Sequence, residues 1–124
     1  MMVTRDEVLT RLGQSLVFIQ SNITIAVILS NFDEVKRFSK DFYHRLDQLP
    51  AWLGVDVERR TVTQCDWPGG KILFVNNPSR LRGWTTNVVY RSHRALEQAD
   101  TQELDYFNFL AAIAQQPIID FDDN

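Results

Sequence analysis

Residues 23–29 read ITIAVIL and form the longest mainly apolar run in the chain. Five of these seven residues are β-branched, and no charged side chain interrupts them. Continuous runs of this kind are typical of central strands that are covered on both faces of a parallel sheet. The run is also far shorter than the roughly 20 residues that a membrane-spanning helix needs. It therefore predicts a buried parallel strand in a protein that does not cross a membrane.

Segments with helical spacing of apolar residues lie on both sides of this strand. Residues 6–20 form one such segment, with Thr4 as a candidate N-cap and Glu7 three residues later. Residues 33–49 repeat apolar side chains at steps of three and four, and the proline that follows ends the segment. Residues 95–115 show the same spacing. Three helices are therefore predicted.

A Pro-Gly-Gly turn at residues 68–70 separates two strand-like segments, residues 62–67 and 71–75, which predicts a β-hairpin. Residues 55–63 alternate in a strand-like way, and residues 86–90 add a short strand. The order α-β-α-β-β-β-α with buried strands favours an α/β fold over a bundle or barrel. We expect a three-layer arrangement, with a mostly parallel central sheet, the hairpin and flanking helices.

The composition is that of an ordinary single domain, with 124 residues, of which 44% are hydrophobic and 23% charged. One cysteine, Cys65, cannot form an internal disulfide, and no cysteine–histidine spacing predicts a zinc site. The N-terminal residues lack the basic start and apolar stretch of a secretory signal, so we expect a cytoplasmic protein. We expect one domain over residues 1–116 and an acidic tail over residues 117–124.

The net charge of −3 is unevenly distributed along the chain. Residues 57–96 hold seven basic and two acidic residues, whereas residues 97–124 hold seven acidic residues and no basic one. Clustered arginines predict a surface for phosphates or nucleic acid, to which they give a salt-dependent attraction. The alternative, which we favour slightly, is that the acidic segment folds back and neutralises the arginines. The terminal carboxylates of Asp120, Asp122 and Asp123 are expected to be solvated rather than to bind a cation.

Seven residues of the basic segment are candidates for contact with nucleic acid or a protein partner. Basic side chains would neutralise phosphates, and exposed tryptophans would stack on bases. The candidates are Trp67, Lys71, Arg80, Arg82, Trp84, Arg91 and Arg94. In contrast, Trp52 is predicted to anchor the core, and Cys65 is predicted to pack without reacting, because no basic neighbour is visible to lower its pKa.

Taken in order, these features resemble the ATPase domain of large terminases, the DNA-packaging motors of tailed bacteriophages. The resemblance covers residues 15–96, about two-thirds of the chain, and implies a partial P-loop-like (RecA-like) fold. It rests on the helix end at 16–20, the buried strand at 23–29, the helix at 33–48, the LPAWL step at 49–53, the GGKILFV turn and strand at 69–75, the PSRLRG segment at 78–83, and Thr85, Val88, Val89 and Tyr90.

The sequence departs from this family where the ATPase chemistry lies. A phosphate loop needs a glycine-rich turn, a lysine and a hydroxyl side chain, but the first helix here is predicted to begin at about Thr4, without such a loop. The acidic pair of the family would fall at Ser92 and His93, which cannot replace a magnesium-linked carboxylate or a water-activating glutamate. We therefore expect no ATPase activity, no catalytic residue, no metal and no cofactor.

Functions of different classes remain open. One is a non-catalytic phage protein with a terminase-like fold that binds DNA or a protein through Arg80, Arg82, Arg91 and Arg94 and acts in viral DNA packaging. Another is an assembly or inhibitor protein that docks on a phage or host protein through an exposed apolar face, or that forms a homo-oligomer. A further alternative is a fragment of a split large terminase that contributes to ATP-driven packaging only in a complex.

Overall fold

The helices and strands follow one another along the chain as the sequence predicts for most of its length. The computed structural model describes residues 2–19, 21–113 and 117–122. Its elements are β1 (Val3–Thr4), α1 (Arg5–Phe18), β2 (Ile23–Ile28), α2 (Phe32–Asp47), β3 (Arg59–Arg60), β4 (Gln64–Trp67), β5 (Gly70–Val75), β6 (Val88–Ser92), α3 (His93–Glu97), α4 (Thr101–Ile113) and β7 (Ile119–Asp122), with short 3₁₀ helices at Ala51–Leu53 and Pro78–Leu81.

Across the described residues, seven strands form one sheet in the order β1-β7-β6-β2-β5-β4-β3. The pairs β1–β7, β7–β6, β6–β2 and β2–β5 are parallel. Strand β4 runs antiparallel to both β5 and β3. Strand β2 lies between β5 and β6, and Ile25, Ala26, Val27 and Ile28 are all buried. The expected α/β fold with a central, mostly parallel sheet and a hairpin is therefore confirmed.

Both long helices begin at side-chain caps. The Thr4 hydroxyl accepts a hydrogen bond from the Glu7 amide at 3.1 Å, which confirms the predicted cap of α1. The Asn31 side chain accepts one from the Glu34 amide at 2.9 Å and caps α2. Each cap satisfies an amide that has no partner within the helix. Strand β1 therefore leads directly into α1, and three residues connect β2 to α2.

The two faces of the sheet carry separate cores. Face A is the side covered by α1 and α2, and its buried core is Val8, Leu9, Leu12, Leu16, Ile25, Val27, Leu29, Val35, Phe38, Phe42, Leu46, Cys65, Trp67, Ile72, Phe74, Tyr90 and Phe121. Face B is the side covered by α3, α4 and the 3₁₀ helix Pro78–Leu81, and its core is Ala26, Ile28, Leu73, Val75, Leu81, Val89, Ala95, Phe107 and Leu110. The sheet is thus the middle of three layers.

The helical segment predicted over residues 95–115 is divided into α3 and α4. The Asp100 carboxylate accepts a hydrogen bond from the Glu103 amide at 2.8 Å, and Glu103 reaches back to the Asp100 amide at 3.4 Å. This reciprocal pair is a capping box, which starts a new helix where the periodicity suggested a continuous one. Residues 114 and 115 of the prediction lie outside the described residues.

The segment expected to be an acidic tail contains strand β7, which pairs with β1 and β6 inside the sheet. Phe121 is fully buried on face A, so the apolar residues of this segment hold it in the sheet. The expectation of a solvated carboxylate is therefore wrong for Asp120, and Asp123 lies outside the described residues. Of the strand predicted over residues 55–63, only Arg59–Arg60 pairs. None of the described helices has the length and apolarity needed to cross a membrane.

Candidate functional site

The structure does not bring the seven predicted contact residues to one surface. Trp67 is only 4% exposed, and its indole Nε1 donates to the Ile19 carbonyl at 3.2 Å. Successive side chains of β4 point to opposite faces of the sheet, and Cys65 and Trp67 both point into the core on face A. Base stacking by Trp67 is therefore a wrong prediction. The reverse holds for Trp52, which was expected in the core and is 81% exposed in the 3₁₀ helix beyond α2.

Arg91 is held inside the molecule. Its Nε and Nη2 atoms donate to the two carboxylate oxygens of Asp120 at 2.6 and 3.0 Å, and its guanidinium lies 4.8 Å from the centre of the Phe107 ring. The register of β6 and β7 places Arg91 opposite Asp120, and only 12% of the arginine side chain is exposed. The prediction of Arg91 as a DNA contact is therefore wrong, and the neutralisation alternative is confirmed for this arginine.

Arg94 lies in α3, at the carboxyl end of β6. Its Nη1 atom is 4.0 Å from the Glu34 carboxylate, which is 3.0 Å from Arg37 as well. The side chain is about half exposed. The Glu34 carboxylate lies near both Arg37 and Arg94. Arg94 therefore contributes less positive potential to the surface than an arginine without a nearby carboxylate would.

The four remaining candidates lie on or beside the connection from β5 to β6. Leu81 is buried against face B and fixes the 3₁₀ helix, while Arg80 and Arg82 on either side of it are exposed. Among the described residues, neither guanidinium has a carboxylate within ion-pair distance. Gly83 adopts a φ of 83°, which lets the chain turn toward Trp84. The Nζ atom of Lys71 lies 4.8 Å from the centre of the Trp84 ring, which is 37% exposed.

We call Lys71, Arg80, Arg82 and Trp84 the basic turn surface. One flank of it is acidic, because Arg82 shares a cavity of about 170 Å³ with Asp100, Glu103 and Tyr106. The other flank is extended by Arg59, an exposed residue that the sequence analysis did not select. Arg59 and Lys71 each pair in register with Asp66, so all three side chains lie on face B. Arg59 is identified by strand register, which is known only when the residues of β3, β4 and β5 have been paired with one another.

The positions where the terminase resemblance places nucleotide chemistry have other structural roles. No residue separates β1 from α1, and the first turn of the helix carries the carboxylates of Asp6 and Glu7. Ser92 is buried, and its Oγ atom caps α3 by accepting from the Ala95 amide at 3.1 Å. His93 lies 2.7 Å from Glu97 one turn later. The first turn of α1 presents carboxylates where a nucleotide phosphate would lie, and Ser92 and His93 have no carboxylate to offer Mg²⁺, so these groups do not fit a nucleotide with Mg²⁺.

Two titratable groups on the face A side, Cys65 and Tyr43, have raised pKa values. Burial raises the pKa of the Cys65 thiol from 9.0 to about 12, so the thiol stays protonated at neutral pH, as expected for a packed cysteine. Burial likewise raises the pKa of the neighbouring Tyr43. No group of three or more potential metal ligands occurs within residues 2–19, 21–113 and 117–122.

Comparison with known proteins gives a likeness of fold. No protein-family model and no curated protein sequence matches the chain. The structure is similar to that of the large terminase ATPase domain of Thermus phage P74-26, solved as a mutant, with a TM-score of 0.68 and 12% sequence identity. The match covers 95% of this chain and 54% of the other, so this chain spans about half the length of its structural neighbour. The terminase-like, RecA-like fold implied by the resemblance is therefore confirmed.

Proposed function

We propose that this chain is a non-catalytic protein of viral DNA packaging that binds DNA through the basic turn surface. The observation that carries the proposal is the pair of exposed arginines, Arg80 and Arg82, next to the Lys71–Trp84 contact on a terminase-like fold. The terminase neighbour supplies the link to packaging. The alternative ligand for the same cations is a packaging protein.

The absence of catalysis is part of the proposal and rests on the start of α1 and the end of β6. A nucleotide needs backbone amides that surround its phosphates, and Thr4 instead turns at once into a helix with two acids in its first turn. Ser92 and His93 are engaged with Ala95 and Glu97. Neither the start of α1 nor the end of β6 therefore supports the ATPase chemistry that the fold would otherwise suggest.

The charge distribution supports a weak, salt-sensitive contact with DNA. The chain as a whole has a net charge of −3, so it repels a polyanion at long range. Attraction must come from the local basic turn surface, where Arg80 and Arg82 protrude from the turn and Trp84 offers a partly exposed ring. A surface of this kind releases a few counterions on binding and loses affinity as salt rises.

The test is fluorescence anisotropy with a labelled single strand and a labelled duplex at two salt concentrations. We expect Arg80→Ala/Arg82→Ala to weaken binding about tenfold at low salt and to reduce the salt slope by about two. The matched control is Arg11→Ala/Arg37→Ala, which removes the same charge from α1 and α2 beyond face A. Equal affinity of the wild type and the Arg80/Arg82 variant, or equal losses in both variants, would contradict the proposal.

A split packaging motor is the second candidate, and the coverage of the structural neighbour favours it, since 46% of that chain has no counterpart here. In that case a second chain supplies the phosphate loop. Titration with a fluorescent ATP analogue and Mg²⁺ distinguishes the two functions. The non-catalytic proposal expects no binding by the chain alone or in any complex, whereas the split motor expects binding once the second chain is added.

Docking on a phage or host protein, or on a second copy of the chain, is the third candidate. It is favoured by large exposed apolar side chains near the ends of the helices on face A, with Phe18 76% and Trp52 81% exposed. Contiguous exposed apolar side chains mark protein contacts. Light scattering and partner capture with Phe18→Ser/Trp52→Ser test this candidate without altering the basic turn surface.

A further inference from the structure

A groove of about 900 Å³ lies between α2 and the edge strand β3, on the side of the molecule away from the basic turn surface. One wall is a stripe of α2 residues at helical spacing, including Lys36, Lys40 and His44. The opposite wall is Arg60, Thr61 and Val62, at the edge of the sheet. None of these residues belongs to the predicted contact set, so the groove is unexplained by the proposed function.

Hydrogen bonds fix the two walls relative to each other. The guanidinium of Arg60 donates to both Asp47 carboxylate oxygens at 2.8 and 3.1 Å and to the Tyr43 carbonyl at 3.3 Å. The Tyr43 hydroxyl donates to the Thr61 carbonyl at 2.6 Å, and the Gln64 carbonyl lies 3.0 Å away. The Arg60 guanidinium also lies 4.8 Å from the centre of the Tyr43 ring. A groove held in this way is preformed, which reduces the entropy lost on binding.

The positive charge of the groove is only partly neutralised. The two carboxylates that line it are engaged, Asp47 with Arg60 and Asp41 with Arg5 at 2.6 Å. The hydrogen bond from Arg60 lowers the pKa of Asp47, so this carboxylate stays ionised and paired. Lys40 has no ion-pair partner among the described residues. Lys36 forms an exposed ion pair with Asp33 at 3.7 Å, and its Nζ atom lies 5.4 Å from the centre of the Phe32 ring. A ligand that complements this wall carries carboxylates.

The other wall favours an extended backbone. Strand β3 is the last strand of the sheet, so its outer side has no neighbouring strand among the described residues. Sheet edges bind extended peptides by adding a strand, often in a groove between the edge and a helix. Charged edge residues discourage generic strand pairing. Here the charges are basic, and they select for a strand with acidic side chains.

We propose that this groove binds an extended acidic segment of a partner protein, which adds a strand at β3 while its carboxylates contact Lys36 and Lys40. Val62, which is 39% exposed, offers an apolar contact for one side chain of that segment. A peptide fits better than nucleic acid, because an extended peptide backbone has the amide and carbonyl groups that can pair with the outer side of β3, which is the last strand of the sheet.

The test uses the full chain labelled with ¹⁵N and titrated with a synthetic peptide of alternating aspartate and valine. We expect amide shifts confined to α2 and to the β3 wall, and a Kd on the order of 100 µM. Lys36→Glu/Lys40→Glu should weaken binding at least about tenfold, because both lysines then repel the peptide. The matched control, Arg80→Glu/Arg82→Glu, has the same charge change on the basic turn surface and should bind the peptide as the wild type does.

Further probes separate the acidic strand from other ligands. A lysine–valine peptide should not bind, and an aspartate–valine peptide that is N-methylated at alternate residues should bind at least about fivefold more weakly, because it lacks donors for strand pairing. The proposal is overturned by no shift at the groove, by undiminished binding in Lys36→Glu/Lys40→Glu, by equal binding of either control peptide, or by a single-stranded oligonucleotide that displaces the acidic peptide. The first three of these results leave the DNA proposal unaffected, because that proposal is tested separately by Arg80→Ala/Arg82→Ala.

Discussion

The two faces of the central sheet are built from different side chains, although they share the same strands. Face A holds a continuous group of phenylalanine rings, in which Phe74 lies 6.0 Å from Phe38 and 5.8 Å from Phe42, and Phe38 lies 5.9 Å from Phe121. Face B has a smaller, mainly aliphatic core, and beside it lie the Arg91–Asp120 pair and the basic turn surface. The larger aromatic core of face A therefore lies opposite the basic turn surface.

This difference suggests that stability and binding are divided between the faces. Rings that pack within 6 to 7 Å of each other bury large areas and add favourable edge contacts, so face A contributes most of the free energy of unfolding. The exposed cations of the basic turn surface contribute less to stability and are available for ligands. The predictions below test this division, beginning with the largest expected effect.

Phe74→Ala should lower the free energy of unfolding by about 4 kcal/mol, because it leaves a cavity among the rings of face A. Leu73→Ala, the adjacent residue on face B, is the matched comparison, and we expect a loss of about 2 to 3 kcal/mol. Urea unfolding followed by tryptophan fluorescence measures both. An equal or larger loss for Leu73→Ala would show that the faces contribute alike.

Asp120→Ala should cost about 2 kcal/mol, because it leaves the guanidinium of Arg91 without its bidentate partner in a mostly buried position. The expected loss of stability is smaller than for a fully buried ion pair, since part of the Asp120 side chain is exposed. Asp105→Ala, an exposed carboxylate on α4, removes the same charge and should change stability by less than about 0.5 kcal/mol. If the two variants are equally stable, the pair on face B does not support the fold.

Raising the pH should destabilise the protein through Cys65 on face A. The pKa of this thiol is about 12 in the folded protein and near 9.0 when the chain unfolds, so above pH 9 only the unfolded state loses the proton. The stabilising contribution is complete below pH 9 and is lost as the pH rises toward 12. Between pH 8 and pH 10 the expected loss is roughly 1.4 kcal/mol.

Cys65→Ala is the control for this pH dependence, because lysines and tyrosines also titrate in the same range. Urea unfolding of both proteins at pH 8 and pH 10 gives the difference that belongs to the thiol. We expect the variant to lose less stability than the wild type over this interval. The same slope in both proteins would mean that the thiol is as accessible in the folded chain as in the unfolded one.

The elements that sequence reasoning predicted well are those that local patterns specify. The β-branched run at β2, the glycine turn before β5 and the Thr4 cap all depend on residues within a few positions of each other. The same reasoning missed β7, although Ile119 and Phe121 alternate with Asp120 and Asp122 in the period of a strand. The acidic composition of this segment predicts a solvated tail, whereas the burial of Phe121 shows that the alternation is the better signal.

The candidate site was only partly predictable, because exposure depends on residues distant in sequence. Trp67 is buried through a hydrogen bond to a carbonyl 48 positions earlier, and Arg91 is neutralised by a carboxylate 29 positions later. The alternation of β4 is a local signal for the burial of Trp67, but no residue near Arg91 in the sequence marks its pairing with Asp120. The groove beside β3 was not predicted at all, since its two walls meet only when the hairpin packs on α2.

The sequence by itself determined the order of most helices and strands, the buried central strand and the likeness to a terminase ATPase fold, because hydrophobic period, caps and turns act over short distances. The tertiary structure alone decided which cations remain unpaired and which tryptophans reach solvent. It also decided that the acidic C-terminal segment supplies a strand. These outcomes depend on strand register and on the packing of helices against each face, where a shift of one residue reverses which side chains are buried.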